Sequence, residues 1–202
     1  MKLNFIIIIF IIVLGVGFYY VLSLRAVNSE FDKGSIICFG DSITEGHRLR
    51  RINSYPYQLG LLLGKEVVNT GISGETSSEA LLRLKKDVLE RKPRLVIVQF
   101  GGNDPYRQIP CEETLKNNDL IVEQVLNAGA VPALLIGEFN MLEPQYLEGL
   151  REIARRREIL LIEDAIDEII RDPKSRIDDV HPNAAGQKIL AQNVARAIKP
   201  LL

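Results

Sequence analysis

The sequence is poor in the residues from which most metal and disulfide sites are built. It has two histidines, His47 and His181, and two cysteines, Cys38 and Cys111. Two cysteines exclude a disulfide-stapled scaffold. No spacing pairs them, so both read as free thiols: Cys38 as a small buried hydrophobe in an apolar run, Cys111 in a loop after Pro110. Two histidines exclude an all-histidine zinc centre and leave few candidates for a histidine base. Excess charge is also missing, with 25 Lys and Arg against 26 Asp and Glu. A nucleic-acid binder normally carries a basic surplus, so no nucleic-acid partner is expected. At 47% hydrophobic and 25% charged over 202 residues, the chain is neither disordered nor too short to bury a core.

One long apolar run is present. Residues 3–24 are broken only by Asn4, Gly15, Gly17 and Ser23, and are flanked by Lys2 and Arg25. As a helix they would extend roughly 33 Å, enough to cross a hydrocarbon core of about 30 Å. Tyr19 and Tyr20 lie near the far end, where aromatic rings favour the interface. The run is longer than the apolar part of a signal peptide, and Leu24-Arg25-Ala26 puts Leu where a cleavage site wants a small residue. The expectation is an uncleaved single-pass anchor over residues 1–25, a linker over 26–34, and a catalytic domain over 35–202 on the extracytoplasmic side. The alternative is a cleaved signal and a secreted or periplasmic enzyme. Arg25 and the arginines from Arg48 to Arg51 weaken the charge argument for orientation.

Beyond the linker, short apolar runs alternate with amphipathic ones. Strands are predicted at 35–40, 66–70, 94–100, 131–136 and 159–162, and helices near 54–64, 76–91, 112–128, 145–157 and 184–198. Continuous apolar strands separated by helices predict a parallel sheet covered on both faces, a three-layer α/β/α sandwich. Ligands of such sheets bind beyond the carboxyl ends of the strands. The segments leaving the first three strands are Gly40-Asp41-Ser42, Thr70-Gly71-Ile-Ser-Gly74 and Gly101-Gly-Asn103-Asp104, all glycine-rich and polar.

Ser42 follows a strand and Gly40, where a nucleophile would stand exposed on a sharp turn. Ser42-x-x-Glu45 also fits a helix capping box, and the G-x-S-x-G elbow is absent. A serine nucleophile needs a base. His181 lies in Asp178-Asp179-Val-His181-Pro182, where an Asp three residues before the ring reaches Nδ1 and leaves Nε2 for serine. His47 is the rival base but has no clear carboxylate to orient it. Acyl transfer also needs oxyanion donors, and the backbone N–H groups of Ser42 and Gly71 and the Asn103 amide are candidates. Gly71 reads equally as a turn glycine and Asn103 as an Asx turn. Carboxylates at Asp41 and Asp104 would oppose an oxyanion, so both are read as loop-fixing groups.

The four blocks Phe-Gly40-Asp41-Ser42-Ile-Thr-Glu-Gly46, Asn69-Thr-Gly71-Ile-Ser-Gly74, Gly101-Gly-Asn103-Asp104 and Asp178-x-x-His181-Pro occur in order across the region after the linker. Together they resemble the SGNH (GDSL-type) hydrolases, closest to the bacterial acyl-thioesterase/lysophospholipase, arylesterase-like branch. The resemblance implies a five-stranded flavodoxin-like sheet and a triad of Ser42, Asp178 and His181. It also implies an oxyanion hole of Ser42, Gly71 and Asn103, with no metal or cofactor. It favours Asp178 over its neighbour Asp179. The implied activity is hydrolysis of acyl ester or thioester bonds of small or lipid-like substrates through an acyl-enzyme. The alternatives are a carbohydrate O-acetyl esterase on the same fold and a catalytically silent anchored binding module. The segment 137–144, where related enzymes carry a mobile substrate-covering loop, has a composition of its own.

Overall fold

A computed structural model describes residues 34–137 and 144–202. The proposed anchor, nearly all of the linker and most of the 137–144 segment lie outside the described residues. Among those described, no helix is long and apolar enough to cross a membrane.

Five strands form one sheet: β1 (Ile36–Gly40), β2 (Val67–Asn69), β3 (Leu95–Gln99), β4 (Val131–Leu135) and β5 (Leu160–Ile162). Their order is β2-β1-β3-β4-β5 and every pairing is parallel. That is the flavodoxin-like order, with its switch point at β1 and β3. Alternation within the strands separates two cores. Ile36, Cys38, Leu95 and Ile97 face one side, against α2 (Tyr55–Leu63), α6 (Asp167–Arg171) and α7 (Ala184–Ile198). Ile37, Phe39, Val96 and Val98 face the other, against α3 (Ser77–Asp87), α4 (Cys111–Asn127) and α5 (Pro144–Arg157). A helix layer on each face is what continuous apolar strands demand.

The remaining helix, α1 (Ser42–Glu45), is short and carries Ser42 in its first turn. The predicted capping box at Ser42 does not form. The cap is Asp41, whose side chain accepts from Ile43 N–H, and the capping box occurs instead at Thr76 and Glu79, opening α3. Cys111 is not in a loop but is the first residue of α4, with Pro110 as the cap. Cys38 is fully buried, as expected, and burial pushes its thiol up to about 12 against a hydrogen bond from Tyr55.

Buried Gln187 ties α7 to α1 and α2. Its Oε1 accepts from Tyr55 N–H at 2.6 Å, and its Nε2 donates to Ile43 O at 2.9 Å. The loop ahead of α7 is therefore registered against the helix that holds Ser42.

Candidate active site

The carboxyl ends of β1, β2 and β3 and the loop before α7 meet at Ser42. His181 Nε2 lies 2.9 Å from Ser42 Oγ. On its other side, His181 Nδ1 lies 2.8 and 2.9 Å from the two oxygens of Asp178. Chain geometry explains the three-residue spacing. Asp178 Oδ1 also accepts from the N–H groups of Val180 and His181, at 3.0 and 2.9 Å, so the turn that caps its own backbone swings the ring onto the carboxylate. Ile177 N–H to His181 O at 2.7 Å closes this turn, and Asn183 caps α7 immediately behind it. Burial acts against the Asp178 carboxylate, but the bonds from Val180, the His181 ring and His181 N–H outweigh it and lower its proton affinity. Asp179 points elsewhere and pairs with Arg176. Ser42 is only 8% exposed, so it is more enclosed than a sharp exposed turn would leave it.

Gly71 reaches the same place by close backbone approach. A Cβ there would fall 2.2 Å from Glu45 N, so only glycine lets the loop after β2 lie on α1. Its N–H donates to Asn69 Oδ1 at 2.9 Å, while Asn69 Nδ2 donates to Thr44 O at 2.9 Å. Asn69 thus fixes the Gly71 loop to α1, a role missed in the sequence although an Asn two residues before a glycine is the pattern of an Asx turn. Asn103 Nδ2 donates to Glu75 O at 2.9 Å and, at a longer 3.3 Å, to Asp41 Oδ2. Two of the three expected oxyanion donors therefore have protein partners. Ser42 N–H opens a helix, where no preceding turn supplies an intrahelical acceptor.

Asp41 and Asp104 fix loops, as expected, and form a buried acidic floor with Glu75. Asp104 is fully buried and accepts from Ser77 N–H at 3.1 Å, from the Ser77 hydroxyl and from Thr114 Oγ1 at 3.1 Å. Glu75 is paired with Arg83, whose guanidinium lies 4.5 Å over the Phe39 ring. Burial pushes Asp41 up to about 7; bonds from Ile43 and Gln99 oppose this, and Asp104 and Glu75 add to it.

His47, Asp178 and His181 bring metal-ligand atoms within 4.8 Å of one another, a group found among the described residues. The two imidazoles are stacked, with planes 26° from parallel. Lone pairs lie in the ring planes, so shared coordination would require the rings to turn. Two hollows flank the site region. One, of about 240 Å3, is lined by Gly101, Pro105, Ile109, Pro110 and Tyr146 among others. The other, of about 350 Å3, is lined by Glu45, Arg48, Arg51, Asn69 and Gly71 among others.

Residues 38–189 match the model of the GDSL-like Lipase/Acylhydrolase family. The chain is 30% identical to thioesterase 1/protease 1/lysophospholipase L1 of Escherichia coli, over 92% of this chain and 91% of that protein. It is 29% identical to an acetylxylan esterase of Geobacillus stearothermophilus, over 81% and 93%. A crystal structure of TesA superposes with a TM-score of 0.75 at 28% identity, over 83% of this chain and 99% of that one. The matched residues run from β1 to the last helix and enclose the Ser42–His181–Asp178 contact, and the chain belongs to the GDSL-like lipase/acylhydrolase family of ester-cleaving serine hydrolases.

Proposed function

We propose that Ser42 is the nucleophile, His181 the general base and then acid, and Asp178 the group that orients it. The observation that carries this reading is the continuous relay from Ser42 Oγ through both ring nitrogens of His181 to Asp178, at 2.9 Å and 2.8 Å. Ser42 Oγ bonds to the acyl carbon while its proton passes to Nε2. The carbonyl electrons move to oxygen, which is received by Ser42 N–H, by Asn103 Nδ2 and by Gly71 N–H, the last sharing the hydrogen it otherwise gives to Asn69 Oδ1 at 2.9 Å. The developing charge competes for the Asn103 amide with its 3.3 Å bond to Asp41, which is long for a hydrogen bond and easily exchanged. Collapse returns the proton to the leaving group, and water repeats the sequence on the acyl-enzyme. The mechanism uses no metal and no cofactor.

The substrates of this reading are small or lipid-like acyl esters and thioesters. The hollow beside Gly101, whose walls mix Pro105, Ile109 and Pro110 with Gln108 and Thr114, is of a size to take a short acyl group. A relative named acetylxylan esterase, matched over most of both chains, favours one second reading, a carbohydrate O-acetyl esterase. Residues 1–25 would act as a membrane anchor and 26–34 as a linker, holding the 35–202 domain on the extracytoplasmic side.

Ser42→Ala tests the core of the proposal. Labelling by a fluorophosphonate and turnover of a water-soluble ester should both be lost, with the melting temperature near that of the parent. A variant that still labels and turns over has another nucleophile. A panel of acyl lengths then separates the substrate readings, since activity confined to acetyl esters would favour the sugar esterase. Carbonate extraction and protease accessibility of intact cells test the anchor; a soluble product starting near residue 26 would replace it with a cleaved signal.

A further inference from the structure

His47 lies against the relay without belonging to it. Its ring is stacked on that of His181, with centroids 4.2 Å apart. The edge of His181 is engaged on both sides, Nδ1 by Asp178 and Nε2 by Ser42. Its faces remain open to influence, and His47 covers one of them. His47 is in turn backed by Ser73, whose Oγ lies 3.5 Å from Nδ1 and donates to Glu45. His47 follows α1, Ser73 follows β2 and His181 precedes α7, so the stack gathers three separate segments. The charged and titratable groups facing His47 are Glu45 and Arg48 from its own segment, and Asp178 and His181 from the loop opposite. Burial, His181 and Arg48 lower its proton affinity, against Asp178 and Glu45, so the ring tends to neutrality.

We propose that His47 is a positioning residue for His181: a neutral aromatic shelf that fixes the plane of the base and stabilises its cationic form through the ring face. The role rests on the reading of His181 as the base. As Ser42 Oγ bonds to the acyl carbon, its proton moves to His181 Nε2 and a positive charge appears on that ring. The π face of a neutral His47 attracts this charge, as aromatic faces attract cations. When the proton leaves for the departing group, the charge is gone and the stack returns to two neutral rings. A charged His47 would oppose the first of these steps, because like charges in contact disfavour the second protonation.

The test uses the full chain, hydrolysis of a water-soluble ester between about pH 5 and about pH 8, and three variants. His47→Ala removes the shelf and should lower kcat about two- to fivefold with KM unchanged. His47→Phe restores a face without a titratable nitrogen. It should return kcat to within about twofold of the parent and leave the acid limb of kcat/KM in place. His47→Arg installs a permanent cation; it should lower the plateau and move the acid limb to lower pH by about 1 unit. An unchanged kcat in His47→Ala, or no recovery in His47→Phe, overturns the proposal. So does an acid limb that moves upward in His47→Phe, since His47 would then be charged in the parent. His181→Ala belongs in the same series. If it stays active, the assignment of the base fails; if it is dead while His47→Ala matches the parent, the shelf alone fails.

Discussion

Asp178 is joined to Ser42 through the His181 ring and Asp41 through the chain, and their surroundings differ in each respect that matters to a carboxylate. Asp178 is 42% exposed on a loop and takes hydrogen bonds from two backbone N–H groups and an imidazole. Its proton affinity falls. Asp41 is 2% exposed, one residue before Ser42, with the carboxylates of Asp104 and Glu75 nearby. Its proton affinity rises, to about 7. The difference separates two tasks. In the proposed mechanism, an ionised, accessible carboxylate orients a base that must change charge during the reaction. A buried one, held by donors, gives the loops around Asn103 and Ser42 a fixed shape. The contrast has a sign in stability too. Asp178 favours the folded state above the ordinary carboxylate range and loses that contribution as pH falls, whereas Asp41 favours it in acid and loses it as pH rises.

Asp178→Asn attacks the exposed side of the comparison and should have the largest effect. Both oxygens touch Nδ1, so an amide of the same shape places an N–H₂ or a single carbonyl where two acceptors stood. The ring then loses the tautomer and the counter-charge it needs, and kcat should fall on the order of 10³–10⁴-fold. The melting temperature should barely change, because an exposed carboxylate contributes little to stability and an asparagine keeps a side-chain oxygen for the N–H groups of Val180 and His181. A large loss of stability with modest loss of kcat would mean that Asp178 builds the loop rather than orients the base.

Asn103→Ala probes the boundary between the two regions, since the Asn103 amide spans from the Glu75 carbonyl to the Asp41 carboxylate. Removal of one oxyanion donor should lower kcat on the order of 10²–10³-fold at nearly constant KM. If KM rises and kcat holds, Asn103 binds the ground state and belongs to the structural floor alone.

How far the sequence reveals this arrangement depends on whether a contact is local. The sheet is legible because parallel strands buried on both faces read as unbroken apolar runs, as in Leu95-Val-Ile-Val98. The Asp178–His181 contact is legible because a three-residue turn brings the two together. Gly71 alone reads equally as a turn glycine; the resemblance singles it out, and the structure supplies the reason, a backbone pressed on α1 that tolerates no side chain. From sequence Ser42 reads as either nucleophile or cap; the structure makes Asp41 the cap, accepting from Ile43 N–H. The contacts hidden from the sequence are long-range and specific to side chains. The Gln187 bridge to Tyr55 and Ile43 spans more than 130 positions, and no pattern near residue 187 announces it. The His47 stack is of the same kind: five residues after Ser42 the ring looks unpartnered, because its partners Ser73 and His181 arrive from other strands' loops.

Asp41→Asn should have the smallest effect and is the sharpest test of the buried side. An asparagine keeps the side-chain oxygen that accepts from Ile43 N–H, and it is as good a helix cap as aspartate. What it removes is the ionisation, together with the long 3.3 Å bond that Oδ2 accepts from Asn103 Nδ2, a loss that does not vary with pH. In the parent, the proton on Asp41 stabilises the fold fully below the unfolded carboxylate value near 3.8, and that contribution is lost as pH rises through about 7. The parent should therefore melt progressively lower, relative to Asp41→Asn, between about pH 4 and about pH 8. Each kcal/mol of the difference corresponds to roughly 2–4 °C in a chain of this size. Thermal unfolding of both proteins in a buffer series reads the trend directly, and the direction of drift matters more than its size. A gap independent of pH would mean that Asp41 keeps one charge state throughout and that the floor is not strained by its ionisation. A gap that drifts the other way would make Asp41 a stabilised carboxylate like Asp178, and the contrast between the two carboxylates would collapse.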